Sequence, residues 1–439
     1  MTTAGERTPP MPKILWLVSI TLPEAAAACG LSAAEVGGGW LTGMLDALAP
    51  AVDLTVCSLD ARTSQPLRGS RDGAAFVVLP AGSGFDGLLE EGGFDLVHIW
   101  GTEYPAAAAM QDAARRRGLP VLVGIQGVMK DCVAHLCDGV PERYLHSCAV
   151  QRFIDRVVPG ALLDAMQARF DALAQSEASL LAGARHVTGR TTFDRRAVSE
   201  LAPQAAYYPC NETLRPVFVN SRELWHPREF GRGPVLLMSQ GNYPLKNLHT
   251  LLRAMPAVLR RWPDAVLRVA GWPPLDKGPL LRPVIDWMFP YQSYCKTLIR
   301  QNGLTGHVVY TGPLPAEAMR RAFLDADLFV LPSYSENSPN SLGEAMLLGL
   351  PCVAAAAGGI PDMTRGGAEA VLYGPPGDPD ALAEAICAVL SRPDHGAAMG
   401  QAARQRALIT HDPAANAARM AEIYDAVLKA EKEPGNVNA

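Results

Sequence analysis

Short apolar runs alternate with amphipathic stretches along the whole chain. The run ILWLVSI at residues 14–20 is continuously hydrophobic over strand length, as a strand covered on both faces requires. Similar runs predict strands at 54–57, 76–79, 96–100, 121–125 and 186–188, with helices at 40–49, 106–117 and 161–182 between them. A second series begins at PVLLMS, residues 234–239. Residues 247–261 follow as a helix, because apolar side chains recur at 248, 251, 252, 255, 258 and 259 with Asn247 placed as an N-cap. Strands are predicted at 265–270, 307–310, 328–331, 352–355 and 371–373. Asp378-Pro379 opens a helix to about residue 390, with Asp as cap and Pro at the first helical position. The Pro-rich stretch 271–288 interrupts the rhythm and reads as an inserted loop leading into a helix.

Strands alternating with helices predict parallel sheets covered on both faces, and two such series predict two Rossmann-like α/β domains. The seam falls in 215–233, rich in Pro, Arg and Gly. The expected division is 11–220, then 233–410, then a C-terminal helix over 411–430 returning to the first domain, with 431–439 as a frayed tail.

Composition narrows the class. At 439 residues, 49% hydrophobic and 19% charged, the chain suits a folded multi-domain protein. Lys+Arg of 39 against Asp+Glu of 44 gives a net charge of -5, which disfavours sequence-independent binding to nucleic acid. No apolar run reaches the roughly 18 residues of a membrane span. The start MTTAGERTPPMPK lacks the apolar centre of a secretory signal, so a cytoplasmic protein is expected. The nine cysteines include no C-x-x-C pair, and Cys132, Cys137 and Cys148 with His135 and His146 do not follow a zinc spacing. No metal site is expected.

The densest chemistry lies in residues 331–363, LPSYSENSPNSLGEAMLLGLPCVAAAAGGIPDM. It starts at the carboxyl end of a predicted strand, where ligands sit in open α/β sheets. Pro339 suits the first position of a helix that Gly349 and Pro351 end. The amides of Asn337, Ser338, Asn340 and Ser341 at its start would suit a phosphate or diphosphate. Glu336 precedes the turn. Glu344 lies among Leu342, Ala345 and Met346, where a carboxylate needs partners: either the hydroxyls of a ribose or a structural salt bridge.

The E-x7-E spacing of Glu336 and Glu344, the A-M-x-x-G-x-P run and the G-G-I-P-D run together resemble the signature of the large retaining GT-B glycosyltransferase family, which includes glycogen-synthase-like and sucrose-synthase-like enzymes. Gly37, Gly38 and Gly39 after the first strand, DLVHIWG at 95–101, Lys246-Asn247, VVYTGPL at 308–314 and ADLFVLPS at 326–333 resemble further pieces of that family, in order, from about residue 12 to 425. The resemblance implies a GT-B fold, two Rossmann-like domains facing across a cleft. It implies a nucleotide-sugar donor such as a UDP- or GDP-sugar, no other cofactor, no metal, and transfer with retention to a glycan, lipid-linked or small-molecule acceptor.

By the same resemblance Glu344 takes the ribose hydroxyls. Glu336, Asn337, Ser338, Pro339, Asn340 and Ser341 face the transferred sugar and diphosphate, and Lys246 meets the phosphates. Gly38 and Gly39 approach the diphosphate from the first domain, and Glu336, Lys246 and Gln126 are the candidates at the reacting centre. Gln126 stands where the family carries a His, and Gln cannot take a proton. Gln240-Gly241 replaces the family's G-R, leaving Arg215 or another basic residue to substitute; Asn337-Ser338-Pro339 replaces G-F-G. His98 and Glu103 are acceptor-side candidates at a strand end facing the cleft. Residues 129–170, carrying Lys130, Arg143, Arg152 and Arg156, are candidates for acceptor loops and for peripheral contact with the inner membrane face, although a few basic residues equally make a solvated face. Polysaccharide or glycoconjugate assembly is the expected setting. The alternatives are a non-catalytic nucleotide-sugar binding module, a GT-B-shaped sugar-nucleotide epimerase or a phosphorylase. Oligomeric state is not legible.

Overall fold

The computed structural model describes residues 11–32, 39–156, 162–229, 233–275, 278, 280–364 and 367–433. Two separate sheets organise them. The first contains β1 (Lys13–Val18), β2 (Asp53–Asp60), β3 (Leu67–Arg71), β4 (Ala74–Pro80), β5 (Leu96–Trp100), β6 (Val121–Gly124), β7 (His186–Gly189) and β8 (Ala206–Pro209) in the order β3-β4-β2-β1-β5-β6-β7-β8. Only the β3/β4 pair is antiparallel. The second contains β9 (Val235–Met238), β10 (Val266–Ala270), β11 (Val308–Gly312), β12 (Leu328–Leu331), β13 (Cys352–Ala355) and β14 (Val371–Tyr373) in the order β11-β10-β9-β12-β13-β14, all parallel. Apart from β2 and β4, which are joined through β3, helices lie between successive parallel strands in both sheets, which is the doubly wound arrangement of the GT-B fold expected from the sequence.

Burial explains the hydrophobic runs. β5 and β12 are buried along their whole length, as central parallel strands are. The helix Leu248–Arg261 turns Leu248, Leu251, Leu252, Met255 and Val258 into the second core, matching the apolar spacing of the sequence. Asn247 precedes it, but with φ 60 and ψ 35 and without a side-chain cap. Its Nδ2 instead donates to the Pro332 carbonyl at 2.9 Å, tying the start of this helix to the loop after β12. Asp378 does cap its helix, accepting from the amides of Asp380 and Ala381.

The chain passes from the first sheet to the second just after β8. Leu214, Phe218 and Trp225 already pack into the second core, so the handover comes earlier than the expected boundary at 220. It returns near residue 411. The helix Pro413–Lys432 lays Ala417, Met420, Ile423, Tyr424 and Val427 against β1, β2, β5 and the helix Gly39–Leu48 of the first sheet. The two crossings touch: the buried His411 ring, through Nδ1, lies 2.7 Å from the Glu212 carbonyl. Burial holds the pKa of this ring down to about 4, so it is neutral and its Nδ1–H donates.

Candidate functional site

The carboxyl ends of both sheets face one seam. On the second sheet, the loop after β12 carries Ser333 to Pro339 and leads into the helix Asn340–Leu348. Pro339 is the residue before this helix rather than its first, with φ -66 and ψ 116, and its carbonyl accepts from the amides of Leu342 and Gly343. The amides ahead of these have no intrahelical acceptor by construction. Lys246 comes from the turn after β9, ninety positions earlier in the chain, yet its Nζ lies 2.5 Å from Glu336 Oε1. Ser333 Oγ donates to the same oxygen at 2.8 Å, and the Tyr243 ring lies 5.8 Å from the ammonium. Burial is the largest single influence and works against the charge on Lys246, but Glu336, with Tyr243 and Cys132 beside it, raises the lysine and the net shift is upward.

A pair of glycines permits this packing. Gly358 has φ +52, and a Cβ there would stand 2.0 Å from the Glu336 carbonyl oxygen; a Cβ on Gly359 would stand 2.2 Å from that of Asn337. The Gly359 amide donates to the Glu336 carbonyl at 2.9 Å. The loop after β13 thus clamps the loop after β12, and the G-G of G-G-I-P-D has a steric cause.

The first sheet supplies the facing wall. Asn337 crosses the seam: its Oδ1 accepts from Thr191 Oγ1 at 2.5 Å, while its Nδ2 donates to Asp194 Oδ2 at 2.9 Å and to the Gln126 carbonyl at 3.3 Å. Ser335 Oγ donates to Asp131, and the Thr192 hydroxyl donates to Asp362 at 3.1 Å. Arg190 ties the loops of the first sheet together, donating to the carbonyls of Ile125 (3.1 Å) and Gln126 (3.0 Å) and pairing with the buried Glu212. Glu336, Lys246, Asn337 and Gln126 therefore converge on one place from three distant segments of the sequence.

Comparison with known proteins now bears on this geometry. Residues 222–406 match the family model for glycosyl transferases group 1. That match covers less than half of the chain, and the chain as a whole has the GT-B fold. It is similar to a GDP-mannose-dependent alpha-(1-6)-phosphatidylinositol monomannoside mannosyltransferase of Mycolicibacterium smegmatis, 30% identical over 200 residues, which is 44% of this chain and 48% of the relative. The match thus spans about half the length of that relative. The fold is similar to that of sucrose-phosphate synthase from Thermosynechococcus elongatus, with TM-score 0.69 and 17% identity over 95% of this chain and 100% of the other. It is also similar to Anabaena HepE solved with UDP and glucose, with TM-score 0.61 and 17% identity over 94% and 99% of the two chains.

Within this GT-B chain, several expected site residues sit elsewhere than the sequence reading put them. Glu344 is buried but not in want of a partner. Arg215 grips it with two bonds, Nε to Oε1 and Nη2 to Oε2, both 2.6 Å, while the arginine stacks on Phe218 at 4.7 Å. The burial argument for a ribose at Glu344 is therefore answered by the salt bridge, and Arg215 is engaged there rather than standing in as a phosphate ligand. His98 does not face the cleft. It is the third residue of β5, 0% exposed, stacked on Trp100 at 4.2 Å with its Nδ1 2.8 Å from the Tyr424 hydroxyl. Strand alternation explains this: position 98 faces the returning C-terminal helix. Burial pushes its pKa down to about 3, so the ring is neutral.

Glu103 lies in the loop after β5, where its Oε2 accepts from the Thr102 amide at 2.8 Å and burial raises its pKa. Its neighbour Glu177, 1% exposed, accepts from the Met129 amide at 2.8 Å and from the Thr102 hydroxyl; burial pushes it up to about 7. Gly37 and Gly38 fall outside the described residues, and Gly39 begins the helix Gly39–Leu48. Among the described residues no group of three or more His, Cys, Asp or Glu has the geometry to hold a metal ion.

Sequence reading missed Asp131, Arg190, Thr191, Asp194 and Asp362. A signal existed for two of them. Thr191 and Asp194 form a reciprocal capping box at the start of the helix Thr192–Leu201, and the T-x-x-D spacing directly after a strand is its mark.

Proposed function

We propose that this protein transfers a sugar from a nucleotide-sugar donor to a glycan, lipid-linked or small-molecule acceptor, with retention at the anomeric carbon and without a bound divalent ion. The observation that carries this reading is the meeting of Lys246 and Glu336 at 2.5 Å beside the start of the helix Asn340–Leu348, on the wall of the second sheet that faces Gln126. A diphosphate placed at that helix start gains the free amides and the ammonium, which together stabilise the negative charge that builds as the sugar departs. Glu336 then faces the sugar on the same wall. Asn337 and Gln126, joined across the seam, close the site and keep out water that would otherwise hydrolyse the donor. Gln126 offers a hydrogen bond to a sugar hydroxyl and no base. A GDP-mannose-dependent enzyme among the relatives and a neighbour solved with UDP and glucose support a nucleotide-sugar donor of either base.

The test is a panel of UDP-, GDP- and ADP-sugars, followed by nucleotide release with and without acceptor extract and by the anomeric configuration of the product. Release with a product of donor configuration, undiminished by EDTA, is the expected result. An inverted product or loss of turnover on chelation overturns the retaining, metal-free part. Tight nucleotide binding without turnover under any condition overturns the catalytic reading and leaves a binding module.

A further inference from the structure

Gln126, Arg190 and Glu212 follow the carboxyl ends of three neighbouring parallel strands, β6, β7 and β8, which brings three distant segments side by side on the first wall of the seam. Arg190 stands in the middle and donates both ways. Towards β6 its Nη2 reaches the carbonyls of Ile125 at 3.1 Å and Gln126 at 3.0 Å; towards β8 its Nη1 pairs with Glu212 Oε2. The two charged side chains are only 7% and 3% exposed. Burial pushes the Glu212 carboxyl up, while Arg190 and a hydrogen bond from the Gln126 side chain work against that shift. Gln126 is thus held twice, at its carbonyl by Arg190 and at its carboxamide by Glu212. The same carbonyl meets Asn337 of the facing wall at 3.3 Å. Glu212 is fixed at its other end as well, since its carbonyl lies 2.7 Å from the His411 ring.

As a device for stability this pair is poor. Two charges taken out of water are repaid only when their remaining donors and acceptors are satisfied. Arg190 Nε and Glu212 Oε1 are both buried without a hydrogen-bond partner among the described residues, and both residues line a small cavity together with Gln126. What the pair does secure is one conformation for Gln126. A glutamine left loose would have to be ordered in every turnover, whereas one held in place meets its substrate without that cost.

We propose that Arg190 and Glu212 are positioning residues for sugar transfer, acting through Gln126, whose carbonyl and side chain they fix at the reacting centre. The proposal rests on the reading of Gln126 as the group that meets the sugar.

Steady-state kinetics with the preferred nucleotide sugar, beside titration of the matching nucleoside diphosphate, tests it. Glu212→Gln should lower kcat at least tenfold and leave nucleoside diphosphate affinity within twofold, because that ligand sits on the opposite wall. Gln126→Ala should lose a similar factor, and Gln126→Ala/Glu212→Gln should be no slower than Gln126→Ala alone, as residues acting through one another require. Should Glu212→Gln fail to fold, the apolar pair Arg190→Met/Glu212→Leu carries the test: it should melt at or above the wild-type temperature and still be at least tenfold slow. Independent losses that multiply in Gln126→Ala/Glu212→Gln overturn the proposal. So does wild-type turnover in Gln126→Ala or in the apolar pair, or nucleotide affinity that falls in step with kcat. Loss of folding in both Glu212→Gln and the apolar pair assigns Arg190 and Glu212 to the fold and overturns it too. A wild-type chain that turns over no nucleotide sugar refutes the transfer reading itself and this proposal with it; a wild-type chain that does, with any of the other adverse results, refutes the positioning role alone.

Discussion

Lys246 and Glu336 make opposite predictions although they form one ion pair. At 2.5 Å, with side chains 16% and 13% exposed, the pair is nearly dry, and removing one partner leaves the other charge uncompensated. In Lys246→Met the ammonium is lost to the diphosphate as well as to Glu336. A charge-assisted hydrogen bond contributes about 1.5–3 kcal/mol, so the affinity for a nucleoside diphosphate should fall about ten- to a hundredfold. In Glu336→Gln the ammonium is released from its carboxylate and no anion remains beside the diphosphate. Binding of UDP, GDP or ADP should hold or tighten while sugar transfer is lost. Isothermal titration of the preferred nucleoside diphosphate with both variants, with turnover measured beside it, separates the two effects. Lys246→Met binding as tightly as wild type would refute the placement of the diphosphate. An equal loss in both variants would refute the claim that Glu336 and the diphosphate compete for one cation.

The Arg215–Glu344 clamp should behave as structure: Arg215→Ala and Glu344→Ala should each cost about 3 kcal/mol in urea unfolding, and the double variant should cost less than their sum. Gly359→Ala should destabilise by about 1–3 kcal/mol and weaken nucleotide binding, because its methyl group drives the Asn337 carbonyl from the seam; calorimetric melting and titration read both. His98→Phe should flatten the acid side of the stability curve. In the folded chain this ring stays neutral down to about 3, whereas unfolded it charges below about 6.5, so stability is complete above 6.5 and drains away as pH falls towards 3. Removing the ring should lessen that slope by up to about 1.4 kcal/mol per pH unit, measured by denaturant titrations at several pH values.

The strands of the second sheet were the most legible part of the sequence. The runs at 328–331, 352–355 and 371–373 are β12, β13 and β14 to the residue; β12 and β13 are fully buried parallel strands with no polar position to blur their ends. β3 (LRGSR) went unread, since an antiparallel edge strand with exposed charges has no hydrophobic run. β8 (AYYP) is too short and too exposed for one. The helix Asn340–Leu348 was legible from its Gly349 stop, whose φ of 79 only glycine adopts readily. What lies across the seam was not legible. Nothing local in RTTFD announces that Thr191 and Asp194 will hold Asn337, nor does any spacing link Arg215 to Glu344 over 129 positions. His98 was misread because a strand's periodicity gives two faces and does not say which one a distant helix will cover.

The paired crossings near residues 212 and 411 constrain how the two halves can move. Because the Glu212 carbonyl and the His411 ring hold them side by side, they act as two knuckles of a door hinge rather than as a single tether. Swinging about the line through them keeps that bond, while sliding or twisting one half past the other would have to break it. An opening stroke would then release Asn337, Ser335 and Asp362 from the opposite wall together, so the cleft should gape or shut as one event.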